Sequence, residues 1–154
     1  MCKKDREKRR IHRLLLDADP SKDSIYKYLN DSDVYGLQID ENIVSLAVIL
    51  PISKNTLELK NLVTKKEYRG KGYSKKLLKS LCGNYKQKYN KMLVGTTENN
   101  IPFYVKQGFD KYDKLAPFFY CLWNRRKDGR RKNILDFTQI NWLDIFKCKE
   151  KFML

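Results

Sequence analysis

The sequence is poor in the residues that build metal sites and disulfide frameworks. It has one histidine, His12, and four widely separated cysteines, namely Cys2, Cys82, Cys121 and Cys148. Structural zinc sites use closely spaced Cys and His ligands, and no CxxC pair is present. We therefore expect no metal. The dispersed cysteines are typical of a protein that stays in a reducing compartment.

Long apolar runs are also absent. The longest are Leu14–Leu16 and Leu46–Leu50, far short of the roughly 20 residues that cross a bilayer. The basic N-terminus is not followed by an apolar segment of signal-peptide length. We therefore expect a soluble, cytoplasmic protein without a membrane partner. Its 154 residues, of which 42% are hydrophobic, predict a single domain spanning 1–154 that needs no cross-links.

Acidic residues are outnumbered, with 18 Asp and Glu against 33 Lys and Arg, which gives a net charge of +15. The basic residues cluster in the segments 3–13 and 125–132. Such an excess favours an anionic partner, namely nucleic acid, an acidic protein surface or a polyphosphate cofactor. For the first cluster a solvated helix face is the alternative, because Asp5 and Glu7 are interleaved with the basic residues.

Apolar periodicity predicts two helices and then three strands in the first part of the chain. The helices cover about 6–16 and the segment of Ile25, Tyr28 and Leu29, with Ser21 or Asp19 as the N-cap of the second. The strands cover 34–39, 43–52 and 56–64, and the turn residues between them favour an antiparallel meander.

The pattern then changes to a helix, a strand, a short helix and further strands. The first of these helices has one apolar face, made of Tyr73, Leu77, Leu78, Leu81, Cys82 and Tyr85. A strand at 92–95 and a short helix around Pro102 follow, the helix capped by Asn99 or Asn100 and ended by Gly108. Two strands near 112–123 and 134–143 complete the order, and 143–154 fits either a strand or a helix. The strand–helix–strand unit at 56–95 predicts a parallel strand pair.

The segment Arg69-Gly70-Lys71-Gly72-Tyr73-Ser74 lies between a predicted strand and a predicted helix. Two close glycines let the backbone turn its N–H groups toward one point, and the helix adds the positive end of its dipole. This combination binds phosphate. It lacks the Walker ending and the third glycine of a dinucleotide fingerprint, so the alternative is a plain surface turn.

Together with the preceding strand, Arg69-x-x-Gly72-x-Ser74 resembles motif A of the GNAT superfamily of N-acetyltransferases, which has the form Arg/Gln-x-x-Gly-x-Gly/Ala. Ser74 departs from it. The segment 101–109, Ile-Pro-Phe-Tyr-Val-Lys-Gln-Gly-Phe, is similar to the family's Phe-Tyr-x-Lys-x-Gly-Phe segment, and 14–21 is similar to the start of a bacterial subgroup. The resemblance covers about 14–110 and is loose beyond.

The resemblance implies an α/β fold with a mixed, mostly antiparallel central sheet, one splayed parallel strand pair and flanking helices. It implies acetyl-CoA as cosubstrate and an amine as acceptor. The main chain of Leu62, Val63 and Thr64 would bind the pantetheine arm and the acetyl carbonyl. Asn100 and Tyr104 would also contact the cosubstrate. The pyrophosphate would bind the N–H groups of the loop, made of Arg69, Gly70, Lys71, Gly72, Tyr73 and Ser74.

Two catalytic residues are implied by matching positions. Direct acyl transfer needs a neutral amine, a polarised thioester carbonyl and a proton for the leaving thiolate. Glu58 matches a glutamate that several family members use as a base, and it shares a strand face with Leu62 and Thr64. Its alternative is an exposed carboxylate paired with a lysine. Tyr104 matches the tyrosine that can protonate the thiolate, and its alternative is a packing tyrosine.

Three hypotheses therefore stand. An N-acetyltransferase is favoured, and its alternatives are a basic nucleic-acid-binding module and a GNAT-like domain that binds acetyl-CoA without catalysis. The acceptor is not identified, and acidic residues in the first third of the chain suggest an acidic acceptor pocket (Asp17, Asp19, Asp23, Asp31, Asp33, Asp40 and Glu41). Many relatives dimerise, so a homodimer is an open alternative.

Overall fold

The computed structural model describes residues 3–115, 118–124 and 145–148, with side chains described for 6–111 and for Cys121. The chain forms two compact units. The first contains residues 1–50, 60–78 and 141–154, and the second contains 51–59 and 79–140. The single domain of 1–154 expected from the sequence stays a prediction.

The first unit begins with two amphipathic helices. Helix α1 (Lys3–Ala18) buries Ile11, Leu14 and Leu15, while its arginines are exposed. Helix α2 (Lys22–Leu29) is capped as predicted, since the Ser21 side chain accepts a hydrogen bond from the Ser24 N–H at 3.2 Å. Because the apolar residues recur at helical spacing, both helices present one apolar face to the core.

Strands β1 (Asp33–Ile39) and β2 (Asn42–Pro51) form an antiparallel hairpin with a register shift between Leu37 and Gln38. The turn residues Asp40 and Glu41 have φ angles of 45° and 64°, the conformation that a two-residue type I′ hairpin requires. The tight connection predicted here is therefore confirmed.

Strand β3 (Thr56–Thr64) follows β2, and strand β7 (Ile145–Cys148) pairs antiparallel with β1. The sheet order within the first unit is β7–β1–β2–β3. Its core packs both helices against this sheet, and it is made of Ile11, Leu14, Leu15, Ile25, Tyr28, Leu29, Val34, Ile43, Leu46, Val48 and Val63. The strand β7 lies in the segment that the sequence left open between strand and helix.

The second unit contains the start of β3 and three further strands, in the sheet order β3–β4–β6–β5. Helix α3 (Tyr73–Tyr85) connects β3 to β4 (Lys91–Thr96), and these two strands pair in parallel, from Thr56 with Lys91 to Leu59 with Val94. Both strands continue beyond that register. The predicted parallel pair and the predicted mixed α/β fold are confirmed.

One strand prediction was wrong. The segment 112–123 was expected as a single strand, but β5 (Asp110–Leu115) and β6 (Phe118–Asn124) pair antiparallel, with Leu115 opposite Phe118. Pro117 stands between them in the sequence, and a proline without an N–H disfavours a continuous strand. The strand expected at 134–143 and the basic segment 125–132 lie outside the described residues.

Candidate functional site

The loop after β3 is folded by backbone hydrogen bonds to β2 and within the loop. The Lys65 N–H donates to the Val44 carbonyl at 2.9 Å, and a single 3₁₀ turn follows at Lys66–Tyr68. The Arg69 N–H is used within that turn, since it donates to the Lys66 carbonyl at 3.3 Å. The predicted donor set of 69–74 is therefore reduced to the N–H groups from residue 70 onward.

Both loop glycines adopt the left-handed conformation that favours glycine. Gly70 has a φ of 76° and Gly72 a φ of 81°, and both are exposed. A Cβ atom at either position would meet nothing within 4 Å. The reason for glycine here is thus backbone strain in any other residue, and not a steric clash.

Helix α3 begins directly after this loop. Its first helical hydrogen bond runs from the Lys76 N–H to the Gly72 carbonyl at 2.9 Å. The N–H groups of residues 73–75 precede that bond, so they have no helical acceptor. Since α3 has 13 residues, its dipole adds positive potential at the same place. This arrangement can bind an anion such as a phosphate.

Three side chains place cationic and aromatic groups at the loop. The Lys71 Nζ lies 5.5 Å from the centre of the Tyr68 ring, and that ring contacts the Tyr73 ring edge to face at 6.1 Å. Lys71 is exposed and can therefore add its charge to an anion at the loop.

Thr64, at the end of β3, is joined to the loop by both its carbonyl and its hydroxyl. The Arg69 Nε–H donates to the Thr64 carbonyl at 3.0 Å, and the Thr64 Oγ1 lies 2.6 Å from the Ser74 Oγ. Thr64 Oγ1 also lies 3.0 Å from the Ser45 Oγ. The structure thus brings the predicted residues Thr64, Arg69 and Ser74 together and adds Ser45, which sequence analysis missed. Its only signal was a serine inside the apolar run of β2.

Tyr104 is positioned in the second unit by the end of a short helix, α4 (Ile101–Lys106). The Gly108 N–H donates to the Val105 carbonyl at 3.0 Å, and the Phe109 N–H to the Tyr104 carbonyl at 3.1 Å. With Gly108 at a φ of 93°, these bonds make a Schellman motif, which confirms that Gly108 ends the helix. The Phe109 ring packs edge to face on the Tyr104 ring at 5.6 Å.

The environment of Tyr104 is apolar. Its side chain is 8% exposed and also contacts the Phe103 ring at 5.1 Å. Burial raises the pKa of Tyr104 well above its ordinary value, and the nearby Cys121 thiol acts in the same direction. Burial likewise raises the pKa of Cys121, opposed by Lys111. The phenol therefore stays protonated and can donate a hydrogen bond.

Glu58, Leu62 and Val63 lie on β3, where burial alternates with the period of a strand. Glu58 and Leu62 are half-buried and Val63 is 5% exposed. Glu58 lies opposite Leu93 of β4 in the parallel register. The Val63 carbonyl accepts a hydrogen bond from the Ser45 hydroxyl at 2.8 Å. The roles predicted for these residues remain predictions.

Asn100 occupies the N-cap position of α4 but makes no side-chain capping hydrogen bond. It is exposed, so its amide is available for a ligand. The acidic residues of the first third have several local settings: Asp40 and Glu41 form the hairpin turn, and Asp19 accepts the Ser21 N–H at 3.1 Å. The acidic acceptor pocket stays a prediction.

Among the residues that the structure describes, no group of three His, Cys, Asp or Glu side chains could hold a metal ion. Within the same residues, no helix has the length and apolar character that a membrane span needs.

Comparison with protein families identifies the class of protein. Residues 30–111, more than half of the chain, match the family described as the acetyltransferase (GNAT) domain. The chain therefore belongs to the GNAT acetyltransferase family, and the predicted superfamily is confirmed. The matched range includes Glu58, the 69–74 loop, Asn100 and Tyr104.

Individual relatives agree with this assignment. YvbK of Bacillus subtilis (strain 168), an uncharacterized N-acetyltransferase, is 32% identical over 68 residues. That match spans 44% of this chain and 44% of YvbK. The chain thus matches less than half the length of this curated relative.

Solved structures share the fold. A GNAT family acetyltransferase from Elizabethkingia anophelis with acetyl-CoA bound has a TM-score of 0.68 at 26% identity, over 73% of this chain and 89% of that one. A Bacillus subtilis acetyltransferase in complex with CoA has a TM-score of 0.66 at 24% identity, over 73% and 90% of the respective chains.

Proposed function

We propose that this chain is an acetyl-CoA-dependent N-acetyltransferase that acts as a single domain and acetylates a primary amine by direct transfer. The observation that carries the proposal is the anion site of the loop. There, two glycines with positive φ lead into the 13-residue helix α3, beside Arg69 and Lys71. The acetyl-CoA bound to the Elizabethkingia relative supports acetyl-CoA as the ligand.

In this proposal the main chain of Gly70 to Ser74 binds the pyrophosphate, with the charge of Arg69 and Lys71 adding affinity. Arg69 uses its Nε–H for the Thr64 carbonyl, which leaves the other guanidinium donors for the phosphates. The main chain of Leu62 to Thr64 and the Asn100 amide contact the pantetheine arm. Since the Thr64 carbonyl already accepts from Arg69, the Leu62 main chain is the better candidate for a new hydrogen bond.

The acceptor amine must lose a proton before its nitrogen can attack the thioester carbonyl carbon. Glu58 is our proposed base, acting directly or through a water. As the C–N bond forms, the C–S bond breaks and the thiolate of CoA leaves. The products are an N-acetylated amine and CoA.

Tyr104 is proposed to stabilise that leaving thiolate by hydrogen-bond donation. A thiol has a pKa of about 8.5 and an unperturbed phenol one of about 10. Burial raises the pKa of Tyr104 further, so complete proton transfer from the phenol to the thiolate is unfavourable. A hydrogen bond to a charged acceptor needs no such transfer. The proposed role of Tyr104 is therefore to donate a hydrogen bond to the leaving thiolate, and not to transfer its proton to it.

The experiment is amine-dependent release of thiol from acetyl-CoA, measured with the full chain and a panel of a polyamine, an amino sugar, an amino acid and a lysine peptide. We expect thiol release matched by N-acetyl product in mass spectrometry. Glu58→Gln should lower the rate roughly a hundredfold, because a general base is lost. Its affinity for acetyl-CoA should not change.

Tyr104→Phe is the matched control. It should lower the rate roughly tenfold or more, a smaller loss than that of Glu58→Gln, because only a hydrogen bond to the leaving thiolate is removed. Binding of acetyl-CoA without transfer to any amine would support the non-catalytic alternative. A Glu58→Gln variant with the wild-type rate would remove Glu58 from the mechanism.

A further inference from the structure

Three hydroxyl groups of the first unit form one continuous chain of hydrogen bonds. The Ser74 Oγ lies 2.6 Å from the Thr64 Oγ1, which lies 3.0 Å from the Ser45 Oγ. The Ser45 hydroxyl in turn donates to the Val63 carbonyl at 2.8 Å. Ser45 is fully buried and Thr64 is 8% exposed. The chain therefore runs from the start of α3, through β3, into the core at β2.

The Val63 carbonyl fixes the direction of donation in each of these three hydrogen bonds. A carbonyl can only accept, so the single proton of Ser45 points to Val63. Thr64 must then donate to Ser45, since Ser45 has no second proton. For the same reason Ser74 must donate to Thr64. The Ser74 hydroxyl is left with lone pairs alone for any other partner.

This polarity has a consequence for an anion at the loop. Phosphate oxygens are acceptors, and an oxygen that offers only lone pairs repels them. The Ser74 hydroxyl can therefore donate to a phosphate only if its hydrogen bond to the Thr64 Oγ1 is broken. The Ser74 N–H, in contrast, lies in the first turn of α3 and has no helical acceptor.

We propose that Ser74 is a positioning residue: its hydroxyl, acting through Thr64 and Ser45, fixes the first turn of α3 to the end of β3, and the loop binds the pyrophosphate through its main chain. The inference rests on the proposed function, because the pyrophosphate is that of acetyl-CoA. It also accounts for a serine at a position where the family motif has glycine or alanine.

The decisive variant is Thr64→Val, which keeps the shape and the main chain of Thr64 and replaces the hydroxyl with a methyl group. If Ser74 acts through Thr64, both Thr64→Val and Ser74→Ala weaken acetyl-CoA binding by about fivefold. The double variant is then about as weak as either single variant, because both changes break the same chain. Isothermal titration calorimetry measures all three dissociation constants.

A direct contact between the Ser74 hydroxyl and the phosphate predicts a different result. Thr64→Val would free the Ser74 proton, so the affinity for acetyl-CoA would stay the same or increase. That outcome overturns the proposal, and so does a double variant whose loss is the product of the two single losses. Ser74→Thr, which keeps a hydroxyl, should restore most of the affinity.

Ser80→Ala is the matched control on the same helix. Ser80 is fully buried, and its Oγ has no hydrogen-bond partner in the described structure. Removing this hydroxyl should leave the dissociation constant unchanged. A loss equal to that of Ser74→Ala would mean that any hydroxyl deletion in α3 weakens binding, which also contradicts the proposal.

Hydrogen exchange of the ligand-free protein separates this proposal from the proposed function. Ser74→Ala and Thr64→Val should each lower the protection of the Lys76 N–H, which bonds the Gly72 carbonyl, by about fivefold. If the wild type fails to bind acetyl-CoA, the proposed function is wrong, and the exchange data still decide whether the hydroxyl chain holds the start of α3. Unchanged protection in both variants contradicts it.

Discussion

Tyr104 is held by three features of a short sequence segment. Gly108 ends α4 and directs Phe109 back to the Tyr104 carbonyl, and the rings of Phe103 and Phe109 enclose the phenol. The Phe-Tyr-x-Lys-x-Gly-Phe spacing thus places the phenol of Tyr104 between two phenylalanine rings, where it is buried. This burial is the reason why the phenol keeps its proton.

The raised pKa values of Tyr104 and Cys121 predict how stability depends on pH. Their ordinary values are 10.0 and 9.0, and burial raises both in the folded state. The folded protein therefore binds more protons than the unfolded chain above these values, so the free energy of unfolding falls as the pH rises. Below pH 9 this contribution to stability is fully present.

Tyr104→Phe should make this alkaline loss of stability less steep, as measured by urea unfolding between pH 8 and about 11. Phe103→Leu is the control, since it changes the same ring cluster without removing a titrating group. It should lower the stability at all pH values and leave the slope unchanged. An identical slope in Tyr104→Phe and the wild type would contradict the proposed burial of the phenol.

At the scale of elements, the turn of the β1–β2 hairpin has backbone strain that a substitution can relieve. Asp40 and Glu41 occupy the two central positions of a type I′ turn with positive φ, where asparagine followed by glycine is preferred. Glu41 has a side chain that disfavours its φ of 64°, and the left-handed conformation costs about 1–2 kcal/mol in such residues.

Glu41→Gly should therefore stabilise the protein by about 0.5–1 kcal/mol, after the greater flexibility of glycine in the unfolded chain is subtracted. The expected increase in Tm is roughly 1–4 °C. Glu41→Ala removes the same carboxylate but keeps the Cβ, so its stability should stay close to that of the wild type. Equal stability of the glycine and alanine variants would mean that the turn is not strained.

Elements whose signals are local were predicted well from the sequence. The glycines at 70, 72 and 108 and the cap at Ser21 each follow from the chemistry of one or two neighbouring residues. The break between β5 and β6 was missed, because the aromatic residues on both sides continue the pattern of a strand. Pro117 was the available signal.

The contact of Ser45 with Thr64 could not be predicted from the sequence for a different reason. Its hydroxyl meets Thr64 and Val63 only because β2 and β3 are adjacent in the folded sheet. Neither periodicity nor spacing shows which residues face each other across two strands until the register is known. Contacts of this non-local kind account for the part of the site that sequence analysis did not contain.

At the scale of the whole molecule, the net charge of +15 had two interpretations. The first basic cluster lies on α1, where Arg6, Arg9, Arg10 and Arg13 are exposed and Ile11, Leu14 and Leu15 are buried. This is the pattern of a solvated face on an amphipathic helix. The loop at residues 69–74, and not this helix face, favours an anionic partner, and that partner is a polyphosphate cosubstrate.

The measurement that tests this account most directly compares Gly72→Asn with Gly72→Asp. Both side chains tolerate a positive φ better than most, a Cβ has open space there, and the two differ only in charge. A carboxylate beside the pyrophosphate should weaken acetyl-CoA binding about tenfold or more relative to the amide. Binding of S-acetylpantetheine, which lacks the pyrophosphate, should be the same in both variants. Equal dissociation constants of the two variants for acetyl-CoA would contradict phosphate binding by this loop.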